Sequence, residues 1–304
     1  MEIATDVAIL SGGNSAGRFL ALRTSASTLH GTSRLGSQRT ARPEMIAEQF
    51  DILLLDLDGV VYVGDRLLPG ARRALRRLRE RGTTLRFLTN DPRPTRDEVV
   101  ARLERLGVAA SVQEVVTCGW STAVCLQEAG LASAYVVGSD GLRRELDRAG
   151  VRGTDGNDAE AVVVGCDECV SYPHIKRAAR LIRQGGRFVA TNDDPTFPTP
   201  EGPAPATGTI VAAVRAASGT APHVVGKPHP AMFEAALGDR DPAAAVMVGD
   251  RLDTDIRGAR RMGMSALLLR RGDERPQHHE TEVTPDRVIA SLSDLLNESA
   301  CHDA

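Results

Sequence analysis

Lysine is nearly absent from this sequence of 304 residues, which contains only Lys176 and Lys227 and otherwise takes its positive charge from arginine. The formal net charge is -3, so the chain lacks the positive excess with which proteins bind nucleic acids. It also lacks any apolar stretch near the ~20 residues that a membrane-spanning helix needs. These absences predict a protein without a nucleic-acid or membrane partner, and they make a lysine in a motif conspicuous.

Cysteine is also scarce. The five cysteines form an odd set in a chain without a secretory signal, which favours a reducing compartment and a cytoplasmic location. Cys166 and Cys169 have the spacing of half a zinc site, but no second pair matches them. Free thiols are therefore the favoured interpretation.

Residues 1–46 differ in composition from the rest of the chain, since they are rich in Ser, Thr, Gly and Arg and show little periodicity. Residues 7–17 imitate a strand and a phosphate-binding loop, but they lack the glycine spacing of a dinucleotide site and the lysine of a P-loop. A disordered extension, or an upstream start codon, is the favoured interpretation. A targeting peptide fits less well because Glu2 and Asp6 are acidic. We expect this segment to be dispensable.

From Asp51 onward, short apolar runs alternate with helical patterns. The run Ile52-Leu53-Leu54-Leu55 predicts a buried parallel strand. Further on, Thr95-Arg96-Asp97-Glu98 has the form of a capping box and predicts the start of a helix. Such alternation predicts an α/β fold with a doubly wound, Rossmann-like parallel sheet and helices on both of its faces.

The alternation falls into two domains. A separate set of strands and helices over residues 117–223 predicts an inserted α/β cap, and residues 47–116 and 224–304 then form the core. A strand at 223–225 is expected to resume the core. Near the end of the chain, Thr284-Pro285-Asp286 is expected to begin a closing helix.

Two aspartates directly follow the first predicted strand, in the run Asp56-Leu57-Asp58-Gly59-Val60. The carboxyl ends of strands in such sheets face the ligand crevice, and the alternation of side chains points both carboxylates to the same side. Two acids this close repel each other unless a cation lies between them or one is protonated. The motif therefore suits Mg²⁺, with one acid as nucleophile and the other as proton shuttle. A solvated pair in a turn is the alternative.

Three further strand ends carry polar residues. Thr89-Asn90-Asp91 offers a hydroxyl and backbone N–H groups to phosphoryl oxygens, and Lys227 offers a positive charge. Asp250 would complete the carboxylate set of a metal, while Asp255 would orient its ligands or waters. Each signal is weak alone, because loops favour such residues for local hydrogen bonding. Their common position at strand ends indicates one phosphate and metal site.

With these four motifs, the sequence resembles the haloacid dehalogenase superfamily. It is most similar to the branch of p-nitrophenyl phosphatases, phosphoglycolate phosphatases and sugar-phosphate phosphatases with an α/β cap between the second and third motifs. The resemblance extends from about Phe50 to Glu298. It implies a Mg²⁺-dependent phosphatase that forms a phosphoaspartate. One departure is Asp91, where relatives often have a second Asn; its charge could alter the choice of substrate.

The resemblance also implies roles for individual residues. Asp56 would be the nucleophile and Asp58 the general acid/base. The metal ligands would be the Asp56 carboxylate, the Asp58 backbone carbonyl and Asp250, with Asp255 outside them. The phosphoryl group would be bound by Thr89, Asn90 and Lys227.

The implied substrate is a small phosphorylated metabolite. A sugar or polyol phosphate is favoured, with phosphoglycolate or a nucleotide as alternatives, and the cap residues that could select it are Asp167, Tyr172, His174 and residues 193–199. A phosphotransferase or mutase on the same core is the nearest rival function, and a metal-binding regulator without turnover is the second. Relatives often pair through the cap, so a homodimer is a further expectation.

Overall fold

The computed structural model describes residues 45–199, 201–272 and 283–297. Strands and helices alternate along these residues. The strands are β1 Ile52–Asp56, β2 Tyr62–Val63, β3 Arg66–Leu67, β4 Thr84–Thr89, β5 Val115–Thr117, β6 Ser133–Val137, β7 Arg152–Gly153, β8 Ala161–Val164, β9 Arg187–Ala190, β10 Thr196–Thr199, β11 Gly202–Pro205, β12 His223–Val224, β13 Ala245–Gly249, β14 Ser265–Leu269 and β15 Arg287–Ile289. The α-helices are α1 Ala71–Glu80, α2 Arg96–Arg105, α3 Cys118–Glu128, α4 Asp140–Arg148, α5 Tyr172–Arg183, α6 Thr207–Ser218, α7 Pro230–Leu237 and α8 Arg257–Arg261.

Strand β1 lies in the middle of the core because both of its faces are apolar. Leu53 and Leu55 pack into one hydrophobic cluster, together with residues of α1 and α2. Ile52 and Leu54 pack into a second cluster on the opposite face, with residues of α7 and α8. All four side chains are fully buried, each contributing about 1.5–3 kcal/mol. The predicted doubly wound sheet with helices on both faces is confirmed.

The order of strands in the core sheet is β15-β14-β13-β1-β4-β5, and all pairs are parallel. The chain first adds β4 and β5 on one side of β1 and later adds β13, β14 and β15 on the other. The strand order therefore reverses between β1 and β13. In open α/β sheets, this reversal opens a crevice at the carboxyl ends of the strands.

The inserted segment from α3 to β12, called the cap below, contains a separate sheet with the same layered construction. Its parallel sheet has the order β12-β9-β8-β6-β7. Along β8, Val162 and Val164 pack with α5 and α6, whereas Ala161 and Val163 pack with α3 and α4. The strand predicted at 223–225 belongs to this sheet, because β12 pairs with β9. The prediction that it resumes the core sheet is wrong, since two residues of parallel pairing attach it to the cap.

The cap and core meet along helices α2 and α4. Glu145 of α4 is buried and accepts a hydrogen bond from the backbone N–H of Arg96 at 2.7 Å. Two exposed ion pairs flank it, Arg144–Glu98 and Arg148–Asp97. The predicted capping box at the start of α2 is confirmed, because Thr95 and Glu98 each accept a hydrogen bond from the other's backbone N–H. These contacts between α2 and α4 hold one side of the cap against the core.

The ends of the chain differ from the prediction. The closing helix expected from residue 284 is wrong: the chain forms strand β15 and then the 3-10 helix Leu292–Leu296. Strand β15 extends the sheet by pairing with β14. The apolar residues of this segment therefore lie in a strand and a short 3-10 helix, and not on one face of an α-helix. Among the described residues, no helix is both long and apolar enough to cross a bilayer.

Most of the predicted extension, residues 1–44, lies outside the described residues. Its last two residues do not behave as an extension. Met45 and Ile46 are buried against the core, and the Ile46 N–H donates a hydrogen bond to the Asn297 carbonyl at 3.2 Å. The folded part of the chain thus includes Met45 and Ile46.

Two truncations test this boundary. A chain that begins at Met45 should keep the Tm and turnover of the full chain, because residues 1–44 carry no functional motif. A chain that begins at Phe50 loses the buried side chains of Met45, Ile46 and Ala47, and its Tm should fall by roughly 5–10 °C. Thermal denaturation measures both. Equal Tm values for the two truncations would contradict the packing role of residues 45–47.

Candidate active site

Four strand ends bring the predicted residues together at the crevice. Asp56 ends β1, Thr89 ends β4, and Asp250 follows β13. Lys227 follows the cap strand β12 and returns to the core at this point. Because β1 lies between β4 and β13 in the sheet, their carboxyl ends converge.

The ammonium group of Lys227 is buried and donates hydrogen bonds to two carboxylates. Its Nζ lies 2.5 Å from Asp56 Oδ1 and 2.7 Å from Asp255 Oδ1. Burial alone would lower the pKa of Lys227, but the carboxylates of Asp255 and Asp56 outweigh that effect and raise it. The raised pKa favours the charged form of the ammonium group beside Asp56.

Three carboxylates surround this single ammonium group. Asp56, Asp250 and Asp255 each offer an oxygen, and these oxygens lie within 4.8 Å of one another. Burial raises the pKa of Asp56 well above its ordinary value, although Lys227 opposes the shift, and Asp255 and Asp250 add to it. Burial and Asp255 likewise raise the pKa of Asp250 to about 7.

With all three carboxylates ionised, as they would be around a bound cation, the cluster carries three negative charges against the one positive charge of Lys227, and one divalent cation balances this excess of two. Oxygen ligands without nitrogen or sulfur suit a hard cation. The residues present therefore fit a Mg²⁺ site. Within residues 45–199, 201–272 and 283–297, no other group of three metal-binding side chains comes together, so Cys166 and Cys169 are not part of one.

Asp58 faces the open side of the crevice, and its environment differs from that of Asp56. The side chain is exposed, yet the protein around it raises its pKa to about 6. Displacement of water is the largest cause, Asp91 adds to it, and Arg102 and Arg93 oppose it. A carboxyl group that titrates near neutral pH can both donate and accept a proton.

The side chain of Asn90 is occupied by protein partners. Its Oδ1 accepts a hydrogen bond from the Lys227 N–H at 2.9 Å, and its Nδ2 donates to the Lys227 carbonyl at 3.0 Å. Nδ2 also donates to Asp194 Oδ2 at 2.9 Å. Asn90 thus positions the backbone of Lys227, and direct binding of a phosphoryl group by this residue stays a prediction. Thr89 is buried beside it and accepts a hydrogen bond from the Asp91 N–H.

The glycines of two motifs leave room for acidic side chains. A Cβ atom on Gly59 would lie 1.9 Å from Asp250 Oδ2, and the backbone there has φ +88°, which L-residues rarely adopt. A Cβ atom on Gly249 would lie 2.1 Å from the Cβ atom of Asp255. Both positions must be glycine for the acids to converge.

The cap contributes a residue that sequence analysis assigned only to substrate selection. Asp194 pairs with Arg251 of the metal-site loop at 2.9 Å, in addition to its bond with Asn90. Its pairing with the core could not be read from the chain, because Asp194 is 57 positions from Arg251 in the sequence. Arg93, which carried no motif, also lies near the site.

The other cap residues suggested for selectivity have local contacts. His174 Nδ1 accepts a hydrogen bond from the Ser171 N–H at 3.2 Å and so caps helix α5. Asp167 accepts one from the Cys169 N–H. Tyr172 is 77% exposed. Their role in selecting a substrate stays a prediction.

Comparison with known proteins identifies the family. The model of haloacid dehalogenase-like hydrolases matches residues 53–152, and a related HAD-hydrolase-like model matches residues 224–295. A D-glycerol 3-phosphate phosphatase from Mycobacterium tuberculosis is 40% identical over 231 residues, which are 75% of this chain and 65% of that protein. The chain thus spans just under two thirds of this relative. A dihydroxyacetone phosphatase from Corynebacterium glutamicum is 37% identical over 248 residues, 80% of this chain and 90% of that protein.

Solved structures agree with this assignment. The glycerol phosphate phosphatase of Mycobacterium tuberculosis, solved in complex with magnesium, matches with a TM-score of 0.77 at 35% identity. The match covers 84% of this chain and 79% of that one. The chain belongs to the haloacid dehalogenase-like hydrolases, which confirms the family expected from its four strand-end motifs.

The substitution Gly59→Ala tests the convergence of acids. Its Cβ atom would displace the Asp250 carboxylate, so binding of Mg²⁺ should weaken at least ~10-fold. Gly82→Ala is the matched control, because Gly82 has a similar φ of +78° but no atom within 4 Å of an added Cβ. Isothermal titration of both variants with Mg²⁺ separates the two effects. Equal loss in both would attribute the change to backbone strain instead of Asp250.

Proposed function

We propose that this protein hydrolyses the phosphate monoester of a small polyol or sugar through a phosphoaspartate on Asp56. The observation that carries the proposal is the contact of the Asp56 carboxylate with the buried Lys227 ammonium group, beside Asp250 and Asp255. A phosphate ester dianion can approach a carboxylate nucleophile only where positive charge offsets the repulsion between them. Family membership and the phosphatases among its relatives support the same activity.

The residues divide the reaction into two steps. Asp56 attacks phosphorus, and Asp58 protonates the oxygen of the departing alcohol. Asp58 then takes a proton from the water molecule that hydrolyses the acyl phosphate, which returns Asp56 to its free form. The pKa of about 6 suits Asp58 for both proton transfers near neutral pH. Lys227 keeps one oxygen of Asp56 oriented and neutralises charge on the phosphoryl group.

The metal in this proposal is Mg²⁺, which is also present in the related glycerol phosphate phosphatase structure. The Asp56 and Asp250 carboxylates and the Asp58 backbone carbonyl would hold it. Asp255 donates no ligand in this assignment, because one of its oxygens contacts Lys227 and the other accepts the Arg251 N–H. When bound, Mg²⁺ supplies positive charge that draws the ester to the nucleophile and stabilises the transition state.

The substrate class follows from the cap and from the relatives. Cap residues Asp194 and Phe197 contact Arg251 and Arg93 of the core, so the cap lies over the crevice and limits the size of what enters. The names of the two relatives refer to D-glycerol 3-phosphate and to dihydroxyacetone, which both have three carbon atoms. A phosphotransferase on the same core is distinguished by the ratio of free phosphate to phosphorylated acceptor.

The nucleophile is tested by Asp56→Asn. This variant keeps the shape of the side chain but loses the covalent route, so turnover of p-nitrophenyl phosphate should fall at least ~10³-fold at saturating Mg²⁺. Asp51→Asn, at the exposed start of the same strand region, is the control and should keep full turnover. Near-normal turnover of Asp56→Asn, or full wild-type turnover in excess EDTA, would contradict the mechanism.

The substrate class is tested by kcat/KM across glycerol phosphates, sugar phosphates, phosphoglycolate, nucleoside monophosphates and phosphopeptides. We expect polyol and sugar phosphates to rank first, because the cap closes over small leaving groups and the crevice is lined with polar side chains. Phosphopeptides should rank last. Faster turnover of phosphopeptides or bulky aromatic phosphates than of every polyol phosphate would refute this assignment.

A further inference from the structure

The carboxylate of Asp91 and the guanidinium of Arg93 form a bidentate pair at the mouth of the crevice. Arg93 Nε donates to Asp91 Oδ1 at 2.8 Å, and Arg93 Nη2 donates to Asp91 Oδ2 at 2.9 Å. The Arg93 backbone N–H donates to the same Oδ1 at 3.0 Å. Two parallel N–H···O bonds hold the guanidinium in one orientation and neutralise its charge.

This pair lies between the catalytic core and the cap. On the core side, Asp91 is attached to Thr89 by its N–H, and both charges act on Asp58. On the cap side, the Arg93 guanidinium stacks 4.6 Å from the centre of the Phe197 ring, and its Nη1 lies 3.9 Å from Glu168 Oε1. Because the ends of β1 and β4 are neighbours, a leaving group protonated by Asp58 in the proposed reaction would lie near Asp91 and Arg93.

The charges at this mouth do not favour an anion. An unpaired arginine beside the leaving group would bind a carboxylate, since arginine matches carboxylate geometry. Here Asp91 occupies that guanidinium, and Asp167 and Glu168 of the cap loop add negative charge. The net charge of these four side chains is negative. Arg102, whose positive charge also acts on Asp58, lies on the core side, where it donates to the Gly64 carbonyl at 2.8 Å and stacks on the Tyr62 ring.

We propose that Asp91, by pairing with Arg93, is a specificity-determining residue that makes the enzyme reject phosphate esters with a carboxylate on the leaving group. The neutral polyol esters remain as substrates. This inference rests on the proposed phosphatase function and narrows its substrate class. Rejection of a competitor by repulsion is a common source of specificity.

The test compares two esters that differ at a single group. Glycerol 3-phosphate carries a hydroxymethyl group where 3-phosphoglycerate carries a carboxylate. In Asp91→Asn, which keeps the shape and frees the charge of Arg93, the ratio of kcat/KM for 3-phosphoglycerate to that for glycerol 3-phosphate should rise about tenfold. Asp91 also affects the pKa of Asp58, but this effect changes kcat/KM for both esters by the same factor and so cancels in the ratio.

Two further variants complete the design. Adding Arg93→Gln to Asp91→Asn should return the ratio to about its wild-type value, because the freed guanidinium is lost. Asp286→Asn is the matched control: it removes the carboxylate of another Arg–Asp pair, with Arg260 at 2.7 Å, and should leave the ratio unchanged. An unchanged ratio in Asp91→Asn overturns the proposal. A rise in this ratio that persists in the double variant also overturns the proposal. Such a rise would be attributed to Arg102, the other arginine near Asp58.

The wild-type enzyme provides an independent measurement. Salt screens the repulsion between the mouth and a carboxylate, so the same ratio should rise as ionic strength increases. A ratio that stays constant or falls contradicts the proposal without any variant. Absence of turnover with both esters and with p-nitrophenyl phosphate would instead overturn the proposed function itself.

Discussion

The buried ammonium group of Lys227 is the interaction on which the site depends. It contacts Asp56 and Asp255 at once, in a space where those carboxylates would otherwise repel each other and Asp250. Burying a charge is favourable only where a partner compensates it, so each member of this group requires the others. Lys227 leaves an excess of negative charge that a divalent cation balances. The same contact therefore both permits the cluster and prepares it for a metal.

Lys227 also connects the cap to the chemistry. It lies where the chain leaves the cap strand β12, and Asn90 fixes its backbone through hydrogen bonds in both directions. Asp194 of the cap binds Asn90 and Arg251 together. The phosphoryl loop, the lysine and the metal loop are thus tied to one cap segment. A movement of the cap at this point would therefore displace all three segments.

In the function proposed above, selectivity depends on a different part of the site. The Asp91–Arg93 pair follows the end of β4, and Arg93 also lies near Glu168 of the cap loop. In the proposed mechanism, the cluster around Lys227 binds the phosphoryl group that all substrates share, whereas the Asp91–Arg93 pair contacts the leaving group, which differs between them. This separation lets one residue change the choice of substrate while the nucleophile and its lysine stay unchanged.

Local sequence patterns determined the strands, most helices and the acids at the strand ends, because apolar alternation and capping residues act over a few positions. Asp56, Asp58 and Asp250 could be placed at strand ends on that basis, whereas their catalytic and metal-binding roles came from the family resemblance. The pairing of β12 with the cap, the strand β15 and the partners of Lys227, Asn90 and Asp194 could not. These depend on which strands become neighbours and on contacts between residues far apart in the chain, such as Asn90 and Lys227. Only the tertiary structure decides those, since the same side chain can cap a turn, bind a partner or face solvent according to what packs beside it.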